Sequence, residues 1–444
     1  MVGTRPASPP APTPQQDPER PAGPRCRPPA ALAARRNLRV SIADGAAYSL
    51  MVGCGESYIP AFALALGLGP VASGLTASVP VIAGALLQLL APWALARAGT
   101  NRGWVIACTT VQAASFAPFV WWALRGHAGL AELLVAASLY WGAGMAGVPA
   151  WTAWIATLVP ARARTSYFAT RNRLGQFSVF IGFVVGGLAL QLGERSGNTL
   201  AAFAAIFVAA AICRLVSTAM LAVCGEPEPP GRTAPAGAAD AGLGGLARRV
   251  SRALCGMAAR PSGRLVAFIC CFMFGAHFAG PYFTPYMLKE LGFSYHAYLL
   301  VFGTSFLTKA LVLPGLGRLA SRTGAFGLLG LATLAIAPLS LLWLPSAHVG
   351  WLVVVQVVAG ACWAAYELAV SILLLDAIGP EERTGVVTVY NLALAVATVA
   401  GAGCGGLLLR ALGEDRAAYA TVFAVSCVLR AAALPLLRRV RLPA

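Results

Sequence analysis

Residues 57–96 read SYIPAFALALGLGPVASGLTASVPVIAGALLQLLAPWALA, forty residues without one Asp, Glu, Lys or Arg. About 20 residues of helix cross a ~30 Å hydrocarbon core, so this stretch is long enough for nearly two membrane spans. Gly67-Leu68-Gly69-Pro70 supplies the turn between them. A barrel strand would alternate apolar and polar residues. This run is continuously apolar and rich in Ala, Leu, Val and Gly, which makes it helical.

The same pattern extends in both directions. Residues 103–124, 133–161, 174–193, 323–366 and 384–409 are also free of charge. Over all 444 residues, 58% are hydrophobic and 11% charged. A soluble domain carries roughly 25% charged residues, so this chain lacks the polar surface of a water-soluble globule. The pattern predicts an all-α polytopic membrane protein. Its twelve spans fall near 40–66, 70–96, 103–124, 131–159, 166–192, 198–224, 264–288, 295–320, 324–345, 349–379, 384–409 and 417–437.

The chain also resembles itself. A shift of 225 pairs Pro60 with Pro285, Gly67 with Gly292, Arg97 with Arg322 and Gly99 with Gly324. A shift of 219 pairs Arg164 with Arg383, Asn172 with Asn391, Gly186 with Gly405 and Gly187 with Gly406, and a shift of 216 pairs Arg214 with Arg430. Pro, Asn, Arg and paired Gly rarely coincide by chance in an Ala- and Leu-rich chain. Six spans per copy is an even number, so both copies enter from one side and the repeats are parallel. The predicted units are a disordered Pro-rich tail at 1–36, a six-helix bundle at 37–224, a linker at 225–263 and a second bundle at 264–440. In the linker, Leu246, Val250, Leu254 and Met257 recur at helical spacing beside Arg248, Arg249 and Arg252, the pattern of a basic amphipathic helix.

The net charge of +17 is topological and does not point to nucleic acid. With the N-terminus placed inside, 25 of the 33 Lys and Arg lie on the inner side, 5 outside and 3 within spans. That asymmetry predicts a multi-pass protein of the inner (cell) membrane with both termini cytoplasmic. No Cys or His spacing suits a metal, and no P-loop or GxSxG is present, so neither cofactor nor enzymatic activity is expected.

The loop after the eighth span reads Gly317-Arg318-Leu319-Ala320-Ser321-Arg322-Thr323-Gly324, and its first-half counterpart reads Pro92-Trp93-Ala94-Leu95-Ala96-Arg97-Ala98-Gly99. With the duplicated twelve-span layout, these loops resemble the major facilitator superfamily across residues 36–440. The family signature there is approximately G-x-L-A-D-R-x-G-R, and its Asp is replaced by Ala96 and Ser321. The resemblance implies a secondary transporter working by alternating access on a small organic solute. It also implies that spans 1, 4, 7 and 10 line a central cavity, while 2, 5, 8 and 11 join the halves.

An ionisable group at bilayer depth needs a partner or a wet cavity. Near the estimated midplane stand Glu56, His277, Lys309 and Glu367, with Asp44 and Asp376 nearer the cytoplasmic ends. The repeat sorts them. Arg97, Arg322, Arg164, Arg383, Arg214 and Arg430 occur in both halves and suit the shared scaffold, as do Asn172 and Asn391 as interhelical or gating contacts. Glu56, His277, Lys309 and Glu367 have no ionisable counterpart. They are expected to face one another in a central chamber, with Glu56 or Glu367 accepting a proton beside Lys309 or His277. A buried Lys–Glu pair that only fixes packing is the alternative. Tyr140, Trp141, Trp151, Trp154, Trp363 and Tyr366 offer either an aromatic wall for an amphiphilic, exported substrate or simply packing. The chain is expected to act as a monomer in the lipid bilayer, with a small-molecule substrate and protons as partners. A non-transporting sensor or a lipid scramblase would carry many of the same features.

Overall fold

The computed structural model describes residues 28–159, 164–225, 261–376, 383–438 and 440. Most of the Pro-rich tail, and the linker segment 226–260 with its expected amphipathic helix, lie outside that set. Every element among the described residues is helical. Ten stretches have the length and hydropathy to cross a membrane. One of them, Tyr295–Trp343, reverses at Gly324, where φ is 71°, and so holds two spans. The broken first span adds another, which completes the twelve crossings.

The first half comprises α1 (Pro28–Cys54), α2 (Ile59–Ala65), α3 (Pro70–Ala98), α4 (Asn101–Ala114), α5 (Phe116–Arg125), α6 (Leu130–Leu158), α7 (Arg164–Arg195) and α8 (Thr199–Val223). The second comprises α9 (Pro261–Ala279), α10 (Tyr295–Ile336), α11 (Val349–Asp376), α12 (Arg383–Ala411) and α13 (Arg416–Arg438). One boundary differs from expectation. The tail was drawn to residue 36, yet the helix already begins at Pro28. Pro is compatible with the first turn of a helix, and Ala30-Ala31-Leu32-Ala33-Ala34 behind it is a strong helix former.

Both halves break their first span at the same place. After Cys54 the chain tightens into a 3₁₀ turn at Glu56–Tyr58, and after Ala279 into one at Gly280–Tyr282. Gly55 and Pro60 in one half, and Gly280 and Pro281 in the other, weaken the helical ladder there. These turns are 224 apart, whereas Gly67 and Gly292 are 225 apart. The additional residue enters between Tyr282 and Gly292, a stretch that also holds a π-turn at Tyr286–Glu290. The repeat register at Glu56 is therefore corrected by one, from Pro281 to Gly280, which is also not ionisable.

The repeat is exact enough to reproduce individual contacts. The Tyr58 hydroxyl donates to the Phe183 carbonyl at 2.6 Å, and the Tyr282 hydroxyl to the Ala402 carbonyl at 2.6 Å. Gly67 and Gly292, and likewise Gly99 and Gly324, all have positive φ, which glycine adopts without strain. Gly182 lies against the backbone of α1 and Gly401 against that of α9, so α1 with α7 and α9 with α12 cross at backbone contact distance.

The halves meet through α3 against α12 and α7 against α10, as the family resemblance implied for spans 2, 5, 8 and 11. Phe183 packs on Tyr298 and Phe306, and the Gln191 side chain accepts from the His296 backbone N–H at 2.9 Å. These contacts lie toward the end of the molecule farthest from Pro28, here the distal end. One aromatic cluster there draws on both halves, including Tyr58, Phe62, Phe183, Tyr282, Tyr286 and Tyr298. Toward the opposite, proximal end the buried apolar clusters among the described residues are separate, one in the second half and two in the first.

Candidate functional site

A cavity of about 360 Å³ lies inside the first half, among α1, α4, α6, α7 and α8. Its polar wall is formed by Asp44, Glu56, Gln112, Arg171 and Arg214. Its aromatic wall is formed by Tyr48, Tyr140, Trp141 and Trp151.

Asp44 is the hub of the polar wall. Its side chain is 3% exposed. Arg171 Nη2 donates to its Oδ2 at 3.2 Å, and the Ser217 hydroxyl donates to its Oδ1 at 2.6 Å. Arg214 Nη1 donates to Ser217 Oγ at 2.9 Å, which links the second guanidinium to the same carboxylate. Both guanidiniums also lie over rings, Arg171 at 4.4 Å from the Trp151 centroid and Arg214 at 4.7 Å from that of Tyr48. Charges this deep are tolerated because Asp44 and Arg171 are paired and Arg214 is hydrogen-bonded to the serine that bonds Asp44; an unsatisfied one would cost several kcal/mol.

Glu56 sits above this cluster on the 3₁₀ turn, its position set by the break in the first span. The Tyr140 hydroxyl donates to Glu56 Oε2 at 2.6 Å. Among the described residues Glu56 has no salt bridge. Two buried polar atoms of the same wall, Gln112 Oε1 and Arg214 Nε, have no hydrogen-bond partner.

Of the four ionisable groups expected near the midplane, the structure pairs two with each other. Lys309 Nζ meets Glu367 Oε1 at 2.6 Å, between α10 and α11 in the second half. Glu56 pairs with Tyr140 in the first half, and neither Lys309 nor His277 is its partner. His277 lies in the last turn of α9, one residue beyond Ala276, whose carbonyl accepts from Arg430 Nη2 at 3.4 Å. The cause is geometric: the sequence estimate ordered these groups by depth along their spans, and depth does not fix which way a helix face turns.

Trp363 and Tyr366 form a T-shaped pair at 5.5 Å, and Tyr366 stacks on Phe272 at 5.8 Å. They belong to the second-half core rather than to the cavity. Trp154 is also a packing residue, with its indole N–H donated to the Gly225 carbonyl at 3.3 Å. Of the scaffold candidates, Arg430 donates to the carbonyls of Ile336 and Ala276. Arg214 differs from it in donating to a side chain, the Ser217 hydroxyl, which in turn donates to Asp44. Arg97 and Arg322 are exposed at the proximal loops, and the side chains of Arg164 and Arg383 lie outside the described residues. Asn172 is exposed and Asn391 half-buried. Asp44, Arg171, Gln112 and Ser217 were not singled out by sequence. The signal for Arg171 was present, since a shift of 219 sets it against Tyr390.

A bundle of twelve crossings in two parallel repeats, with a buried polar cavity, defines a polytopic membrane transport protein. The sequence profile of the Major Facilitator Superfamily matches residues 45–347 and 265–444, and the chain belongs to that family of secondary transporters. The fold is similar to the nucleoside transporter NupG, with a TM-score of 0.63 at 13% identity over 91% of this chain and 98% of that one. It is similar to a bacterial homolog of the human lysosomal transporter Spinster in an inward-facing, unoccupied conformation (TM-score 0.62, 15% identity, 94% and 99% covered). A variant of the E. coli fucose:proton symporter FucP gives a TM-score of 0.59 at 14% identity, with 91% and 98% covered. A search of curated proteins by sequence gives no match.

Proposed function

We propose that this transporter carries a small organic solute across the inner membrane by alternating access, coupled to protons, with both termini in the cytoplasm. The buried polar cavity of the first half carries this reading. Two guanidiniums, two carboxyls and four aromatic side chains line a volume of about 360 Å³. Glu56 is the first candidate for the proton, because it lines the cavity and its carboxyl is held by a hydroxyl rather than a cation. Glu367 is the second, beside Lys309. The shared aromatic cluster at the distal end and the separate clusters at the proximal end fit a state whose solute path opens proximally. The excess of Lys and Arg on that side supports its assignment to the cytoplasm.

The test uses the full chain in proteoliposomes, with compounds first selected by thermal shift. Glu56→Gln is expected to retain solute exchange at equal pH and to lose uptake driven by an imposed pH gradient. Glu367→Gln serves as the parallel arm. Gradient-driven uptake that survives in both variants removes the proton role.

A further inference from the structure

We propose that Tyr140 is a positioning residue that hands one hydrogen bond across the break in the first span as Glu56 gains and loses its proton. The proposal rests on reading Glu56 as the proton site and adds the residue that responds to its state. The Tyr140 hydroxyl lies 2.6 Å from Glu56 Oε2 and 3.2 Å from Met51 Sδ. A phenol has one proton to donate, so it serves one of these acceptors at a time. An ionised carboxylate is the stronger acceptor and takes it. A protonated Glu56 is a donor instead. It gives its O–H to the Tyr140 oxygen, which frees the Tyr140 O–H for the thioether. The entering proton stays on Glu56, and the phenol keeps its own. Tyr140 is 1% exposed and Met51 0%, which leaves solvent little part in the exchange.

The two acceptors stand on opposite sides of the break. Met51 is in the last turn of α1, and its carbonyl accepts from the Gly55 N–H at 2.8 Å. Glu56 opens the 3₁₀ turn that follows. Tyr140 therefore ties α6 to the segment beyond the break when Glu56 is ionised, and to α1 itself when Glu56 is protonated. The repeat marks the three residues as a set. A shift of 224 puts Gly275 at Met51 and Gly280 at Glu56, and the shift of 220 that sets Pro160 on Pro380 puts Gly360 at Tyr140. The second half breaks its first span in the same way without any of the three side chains, so the break does not need them. Of the charged groups that line the cavity with Glu56, Arg171 on α7 and Arg214 on α8 are engaged with Asp44 on α1 and with Ser217. The other titratable groups around it are Tyr48 on α1 and Cys108 on α4 in the cavity wall, with Cys54 on α1, Tyr58 on the 3₁₀ turn and Cys213 on α8 in the adjoining core. The following helix, α2, has none.

Infrared difference spectroscopy of the purified full chain across pH tests this, with the protonated-carboxyl band of Glu56 identified by its loss in Glu56→Gln. Tyr140→Phe removes the donor that favours the ionised form and is expected to move the midpoint of that band up by about one pH unit. Met51→Leu, close in volume, removes the acceptor that serves the protonated form and is expected to move the midpoint down by a smaller step. Opposite shifts are the signature of one shared O–H, which a loss of packing would not produce. Shifts of the same sign, an unmoved midpoint in Tyr140→Phe, or no band lost in Glu56→Gln overturns the proposal. Should Tyr140→Phe fail to fold, Met51→Leu decides alone, and a midpoint that does not fall overturns it. Uptake into proteoliposomes separates the switch from the transport reading. Opposite shifts with gradient-driven uptake intact in Glu56→Gln would uphold the switch and remove Glu56 from coupling. Shifts of the same sign with that uptake lost would remove the switch and leave Glu56 as the proton site.

Discussion

In the first half, Arg214 donates to Ser217, which in turn donates to Asp44. In the second half its repeat partner Arg430 donates to the backbone carbonyls of Ile336 and Ala276. The surroundings diverge in the same way. Under the register of the 3₁₀ turns, Asp44 corresponds to Phe268 and Tyr48 to Phe272; under the shifts of 219 and 216, Arg171 corresponds to Tyr390 and Ser217 to Ala433. Those four second-half residues pack into one apolar cluster. The two bundles therefore share a backbone plan and bury opposite chemistry at equivalent positions. A duplicated fold can devote one copy to a polar site while the other keeps a dry core, provided the helix crossings are set by residues common to both.

Removing Asp44 should have the largest effect. Asp44→Ala leaves Arg171 and Arg214 buried without their acid, and losing one member of a buried, hydrogen-bonded charge cluster costs about 3–5 kcal/mol. Thermal unfolding in detergent should show a large drop in Tm. Arg171→Ala should lower it less, because that side chain is 18% exposed and its loss still leaves Ser217 on the carboxylate, with Arg214 behind it. Equal, small losses in both variants would mean that the polar cluster is no tighter than a surface ion pair, and the contrast between the halves would fail.

The shared scaffold predicts symmetric losses. Gly182→Ala and Gly401→Ala each place a methyl against the backbone of the first helix of their own half, at positions equivalent under the repeat. Each should cost about 1–3 kcal/mol, the usual range for overpacking. Tyr58→Phe and Tyr282→Phe each remove one buried hydrogen bond to a carbonyl, worth about 1 kcal/mol. Within each pair the two Tm shifts should agree. A marked inequality would show that one half bears more of the stability than the repeat suggests.

The membrane class, the duplication and the turn positions were legible in the sequence. Charge-free runs set the spans, and residues with restricted or special backbone behaviour, such as Gly67 with Gly292 and Gly99 with Gly324, reveal the repeat. The site was less legible. Asp44 looked peripheral because the first span was begun near residue 40, and a helix starting at Pro28 places it well inside. Arg171 falls near the start of the span expected at 166–192, and nothing in its neighbours shows that its side chain reaches Asp44. Gln112 and Ser217 carry no charge and escape a search for ionisable groups. Lys309 with Glu367 was one of the pairings left open, whereas Glu56 was offered a cation and found Tyr140 instead. Pairing across helices depends on rotation about each axis, and in a chain this uniformly apolar the periodicity that would report rotation is weak.

The smallest effect on stability should come from the second half's own ion pair. Lys309 and Glu367 meet at 2.6 Å, yet their side chains are 20% and 52% exposed. A pair that solvent reaches contributes roughly 0–1 kcal/mol after the cost of ordering two long side chains. A double-mutant cycle with Lys309→Met and Glu367→Gln, read by thermal unfolding, should give a coupling energy within that range. It should fall well below the cost of Asp44→Ala. A coupling of several kcal/mol would place the second-half pair on the same footing as the Asp44 cluster. The division into one polar and one apolar bundle would then have to be redrawn as two polar sites of different shape.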